Sequence, residues 1–400
     1  MDKERDKTKY KAKLHKKLFA FGVLGVIIIN IASWKSVAFS DWYIKNIFPI
    51  WLNTYARLTS KVPVSVGEIM LILAVAVTLF GIGFFVWNLI CRGKYRQGVR
   101  RFGSFYVWTV LGVCYVMTLN CFILYHGSSF SEKYMSAGIG ADAMVAGASG
   151  NIAAQVHMND KAYTKRELAI LRDYIVGKCN SLEKEIVHDD SGTAYYDGDL
   201  IEASRRAMLN LGEEYDQLSG FYVTPKYLGC SEFFSQQYIM GYYFPFSLEA
   251  NINSVMYITN VAPTVCHELA HTKGFIYEDD ANMIGFLACI QSDDSFLQYC
   301  GYLSVLNYVN NDFYDSIGGN MNVYKSHVRI NDAVADDNIF LTREEWQTVE
   351  KKAVIKTSTV KSVSSTLMDT TLKLNGVQEG VLQYNNVVGL LLEYYDGVLY

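Results

Sequence analysis

Three long apolar runs open the chain. Leu18–Trp34 is broken only by Asn30 and Ser33, Ile69–Cys91 is longer and cleaner, and Phe102–Tyr125 is the third. Each is near the roughly 20 residues that cross a bilayer as a helix. Trp34, Trp42, Trp51, Trp87, Tyr106 and Trp108 lie at or near their ends, where interfacial aromatics gather. The pattern then changes to helical spacing with polar faces. Leu168, Leu171, Ile175, Cys179 and Leu182 predict a helix over 164–186, and Leu200–Leu218 predicts another after the turn signal Asp197-Gly198-Asp199. The stretches 222–224 and 237–246 are aromatic and β-prone, and 253–259 reads as a short strand. Further helices are expected over 297–309, 342–356 and 381–394. Residues 127–162, rich in Gly, Ala and Ser, read as a linker or a loosely packed helix next to the membrane. The expected architecture is three transmembrane helices (about 18–36, 68–91 and 102–125) within a membrane region, 18–126, then a mostly helical α+β domain over 163–400.

Charge orients this plan. Residues 1–17 hold eight Lys/Arg, and the short loop 92–101 holds five with no acid. The much longer loop between the first two runs holds four. The positive-inside rule places the basic leader, 1–17, and the second loop in the cytoplasm, so everything after about residue 126 is expected outside. The long charged leader, with no small-residue cleavage site after the first run, argues for a retained anchor rather than a signal peptide. Residues 1–126 carry 17 basic and 5 acidic side chains; the remainder carries 19 and 35. An acidic external part speaks against nucleic acid as a partner. Five cysteines fall outside the membrane runs without a C-x-x-C pair. Cys266 and Cys289 read as small buried residues, and no disulfide is predicted.

The chemistry is concentrated in His267-Glu268-Leu269-Ala270-His271. On a helix, the four-residue spacing puts both imidazoles on one face, one turn apart, where a single Zn²⁺ can bridge them. Glu268 projects beside that line, placed to take a proton from the attacking water rather than to bind metal. Pro263 and Thr264 suit the start of such a helix. The three-histidine extension of the motif is excluded, because Tyr277 stands where a third His would follow Gly274. The third ligand is then sought in Glu278-Asp279-Asp280, at the start of the next helix. Glu278 leads, Asp279 and Asp280 compete, and Asn282 shares a helical face with Glu278 and suits a supporting hydrogen bond to a ligand. Tyr277, Tyr299, Tyr302, His327 and Arg329 are candidate donors to an oxyanion, and the sequence does not choose among them. Glu249, Asn251, Asn253, Lys273 and the acids 278–280 make this region too polar for lipid, which excludes proteolysis inside the bilayer.

Taken in order, Pro225-Lys226, Gly241–Asn253, Cys266–His271 and Glu278–Asn282, together with the three apolar runs, Leu372–Gly376 and Gly380, resemble a bacterial membrane-protein family. It is known as domain of unknown function 3810 and is regarded as zinc-peptidase-like. More broadly, Glu278-x-x-Ala281-Asn282 looks like the Glu-x-x-Ala-Asp/Asn element of gluzincin peptidases, whose Glu is the third zinc ligand. The resemblance implies a zincin-like extracytoplasmic domain in a bacterial cell membrane. Zn²⁺ would be held by His267, His271 and Glu278, and Glu268 would act as general base on a peptide or protein substrate. The gap between His271 and Glu278 is shorter than in many gluzincins. The rival expectation, from another class, is a zinc-stabilised binding or scaffold protein of the cell envelope that cleaves nothing.

Overall fold

The computed structural model describes residues 2–135, 163–374 and 386–400. Among the described residues, three helices are long and apolar enough to cross a membrane: Lys13–Lys35 within α1 (Asp2–Lys35), α3 (Val66–Ile90), and Arg96–His126, which contains α4 (Arg96–Met117). They are inverted relative to a soluble helix. Ile72, Leu79 and Ile90 are exposed, whereas the polar groups turn inward and pair. Asn30 Nδ2 donates to Thr118 Oγ1 at 2.9 Å, Tyr115 OH to the Gly22 carbonyl at 2.8 Å, and the Thr78 and Tyr106 hydroxyls are 3.0 Å apart.

The rest is a helical body around a three-stranded sheet. Helices α5 (Lys165–Leu182) and α6 (Leu200–Glu214) precede β1 (Lys226–Tyr227), β2 (Gly241–Phe244) and β3 (Glu249–Ile252). Strand β3 is central, parallel to β1 and antiparallel to β2, which lies at one edge with Tyr243 opposite Ala250. The helices α7 (Val261–Thr272), α8 (Glu278–Ile290) and α9 (Ser295–Ser316) follow, and α10 (Asn386–Tyr394) closes the chain. Val265, Leu269, Ala270, Ile284, Leu287 and Val305 fill the centre, so the helices carrying the motif are walls of the core.

Several expectations are corrected. The strand expected at 253–259 lies one element upstream, at β3. Asn253 ends it by accepting from the Val255 N–H while its amide donates to Ser235 and Ile239, a turn that competes with the ladder. The β-prone stretch at 222–224 likewise gives way to β1, two residues on. The helix expected at 297–309 is longer, because Asp294 caps it and accepts from Phe296 and Leu297. The expected linker, 127–162, is packed over its first nine residues: Phe130 is fully buried against Tyr215 and Phe275, and its N–H donates to Asp280 at 3.0 Å. Residues 136–162 lie outside the described residues, as do Gly376 and Gly380.

The core also reaches further back than residue 163. Between the first two apolar helices, α2 (Val37–Asn46) and the short turns after it bury Tyr43, Ile44, Phe48, Leu52 and Ala56 in the same cluster as α7 and α8. Ile123 and Leu124, in the last turns of the third apolar helix, and Phe130, just after it, join them. All eight cysteines are free thiols, and Cys266 and Cys289 are fully buried.

Candidate metal centre

Helix α7 brings His267 and His271 to one face, with ring centroids 4.6 Å apart. Gly274 then turns the chain at φ +95, a conformation that side chains resist. The turn returns the chain as α8, with Glu278 at its first position. Glu278 Oε2 lies 3.1 Å from His267 Nε2 and Oε1 lies 3.9 Å from His271 Nε2. One ligating atom from each of the three residues falls within 4.8 Å of the others. Asp279 and Asp280, the competing ligands, are buried elsewhere, and Asp280 serves Phe130.

Each histidine is fixed from behind. His271 Nδ1 donates to the Phe275 carbonyl at 2.7 Å, and His267 Nδ1 meets Asn282 Oδ1 at 2.9 Å. With both Nδ1 positions engaged, both Nε2 atoms face Glu278, the arrangement that outer hydrogen bonds give metal-ligating imidazoles. Two imidazoles and a carboxylate are a donor set suited to zinc, and a tetrahedral ion bound by them keeps a position free. Side-chain exposures of 15% for His267 and 8% for His271 against 26% for Glu278 put the open side at Glu278.

Glu268 is buried at 4% exposure beneath strand β2. Gly241 makes this approach possible, since a Cβ there would stand 2.6 Å from Glu268 Cγ. The Tyr243 backbone N–H favours the charged form of the carboxyl, while Oε2 has no hydrogen-bond partner among the described residues. Burial pushes this carboxyl up to about 8, against the pull of His267. Burial also opposes charge on His267, but the Glu278 and Glu268 carboxylates outweigh it and hold the imidazole at about 9. His271, buried beside His267, falls to about 4. The Glu278 carboxyl is held below its usual range: burial raises it, and the hydrogen bond and charge of His267 overcome that.

The candidate oxyanion donors are engaged elsewhere. Tyr277 OH donates to the Tyr125 carbonyl at 2.6 Å, and Tyr299 OH to Asp337 at 3.0 Å. Tyr302 packs on Phe286, His327 pairs with Asp173, and Arg329 lies exposed. Tyr308 of α9, which sequence reasoning passed over, is in electrostatic reach of Glu278 and Asp279, which raise its phenol further after burial has done so. Gly241 carried a signal, as a glycine inside an aromatic strand. The Phe275 carbonyl and the Tyr243 N–H, being backbone, carried none. A separate cleft of about 580 Å³, lined by Tyr196, Asp199, Leu200, Tyr227 and Ile258, shares no residue with this centre.

No curated protein and no solved structure matches the chain. Residues 43–392 do match one family, described as Protein of unknown function (DUF3810). That stretch takes in the buried connection from Tyr43, two of the three apolar helices and the whole candidate metal centre, so the chain belongs to this family.

Proposed function

We propose that this chain is a membrane-anchored zinc metallopeptidase of gluzincin type, hydrolysing peptide bonds of extracytoplasmic proteins or peptides. The observation that carries the reading is the meeting of His267, His271 and Glu278 beside a buried Glu268 whose Oε2 lacks a partner. A zinc ion bound there supplies Lewis acidity toward a carbonyl oxygen and acidifies water. Glu268, seated in the space that Gly241 leaves and with its charged form favoured by the Tyr243 N–H, accepts the proton of the attacking water and passes it to the leaving amine. A carboxyl raised toward neutrality by burial suits both halves of that transfer. Strand β2, at the sheet edge above Glu268, offers backbone groups to an extended substrate. The basic loops support a cytoplasmic N-terminus, with the centre on the outer side of a bacterial cell membrane.

The scaffold alternative is disfavoured by the ligand set. Structural zinc sites close with four protein ligands, whereas three gather here among the described residues, with the Glu278 side open. The test pairs metal analysis with a proteomic comparison of wild type and Glu268→Gln in the cell envelope. The variant is expected to retain zinc and accumulate uncut substrates; full retained cleavage would overturn the mechanism.

A further inference from the structure

The metal centre is fastened directly to the ends of the apolar helices. Phe244, at the far end of β2, packs on Gly67 in the first turn of α3, where a Cβ would stand 2.6 Å from its ring. Glu249 of β3 accepts from the Val66 and Gly67 N–H groups, and Glu68 accepts from Gly229 and Cys230. On the other side, Asn120 Nδ2 donates to the Pro245 carbonyl at 2.8 Å, and Tyr243 OH to the Asn120 carbonyl at 3.2 Å. Tyr277, next to Glu278, is tied to Tyr125.

Three residue-to-residue steps of strand separate Phe244, at the helix end, from Gly241, at Glu268. At a strand rise near 3.3 Å this is about 10 Å. The polar layer of a leaflet is itself roughly 5–8 Å deep. The connection between the first two apolar helices supports the same placement. Its inner face fills the core, while Trp42, Ile50, Trp51 and Leu58 are exposed on its outer face, as in a collar lying in the interface. Gly274, the turn of the metal centre, rests on Ile44 of that collar.

We propose that the substrates are polypeptides anchored in the same bilayer, and that the bond cut lies within about five residues of the anchor, the reach of an extended strand from the membrane surface to Glu268. This rests on the peptidase reading and narrows its substrate class. The anchor is a lipid or a membrane-spanning helix, since both deliver an extended segment to the same height.

The test uses the full chain, zinc-loaded, in phosphatidylethanolamine–phosphatidylglycerol vesicles. Mixed-sequence reporter peptides are supplied in three forms: diacylated at an N-terminal cysteine, fused after an apolar helix, or free. Cut sites are mapped by mass spectrometry, with Glu268→Gln as control. Glu268-dependent cuts starting within about five residues of an anchor, at least tenfold faster than in free peptides, are expected. Cutting confined to one anchored form assigns the tether and supports the proposal. Free peptides cut equally well, or cuts starting only further out, overturn it and leave the peptidase reading standing. No Glu268-dependent cut in any form overturns both. As a readout independent of turnover, Glu268→Gln is expected to photocrosslink anchored reporters labelled at the third residue to strand β2; crosslinking to free reporters at the same yield counts against the proposal.

Discussion

Glu249 and Glu268 are both buried carboxylates on neighbouring elements, yet their surroundings differ in kind. Glu249, on β3, meets Lys226, the Ser247 hydroxyl and two backbone N–H groups at the start of α3. Glu268, at the candidate metal centre, has only the Tyr243 N–H favouring its charge, and its Oε2 is bare among the described residues. Burying a charge is tolerable when every lone pair is met, and the first centre is a fastening of that sort. A buried acceptor left half-met has its affinity for a proton raised, which suits it to take one up from water. Two acids with the same side chain are thus told apart by counting partners.

The largest effect that would sharpen this contrast is Glu268→Gln. Hydrolysis should fall by about 10²–10⁴-fold with zinc content and melting temperature near wild type. Glu249→Gln should show the reverse. It leaves Lys226 buried without its counter-charge, and about 3–5 kcal/mol of stability should be lost in denaturation, while activity per folded molecule stays. If Glu249→Gln instead left stability intact and abolished cleavage, the distinction between the two acids would collapse. Gly241→Ala should blur the two roles, costing about 1–3 kcal/mol from the clash with Glu268, and cutting kcat through the displaced carboxylate. Asn282→Ala should weaken zinc binding about 10–100-fold, read by competition with a chelator, without changing the fold.

The most gradual expected effect is in pH. In the metal-free chain His267 is held at about 9 by Glu278 and Glu268 against its burial, so below that pH metal uptake must displace its proton. Zinc affinity should therefore fall by about tenfold for each pH unit below 9, with one proton released in calorimetry across buffers. The same pairing stabilises the metal-free fold fully below about 6.5, the ordinary imidazole value, and that contribution is lost as pH rises through about 9.

Features that depend on nearby residues were legible in the sequence. The three apolar helices follow from contiguous runs, and the paired histidines from a spacing of four. The choice among Glu278, Asp279 and Asp280 was not settled by spacing, because it depends on how far Gly274 swings the next helix. Strand β3 was misplaced because an asparagine turn mimics the polar–apolar alternation that follows it. The part played by Tyr43, Ile44 and Phe48 was invisible, since an amphipathic stretch announces that it has a buried face but not which partner covers it.

That stretch from Tyr43 to Ala56 also bears on biogenesis. It completes the core around α7, although α3 and α4 lie between them in the chain. On the proposed topology, the two pieces meet only after that helical hairpin has been inserted in the correct sense; a copy inserted the wrong way round leaves them on opposite sides of the bilayer. Correct insertion thereby becomes a condition for assembling the metal centre, and mislocalised copies are inert without any inhibitor.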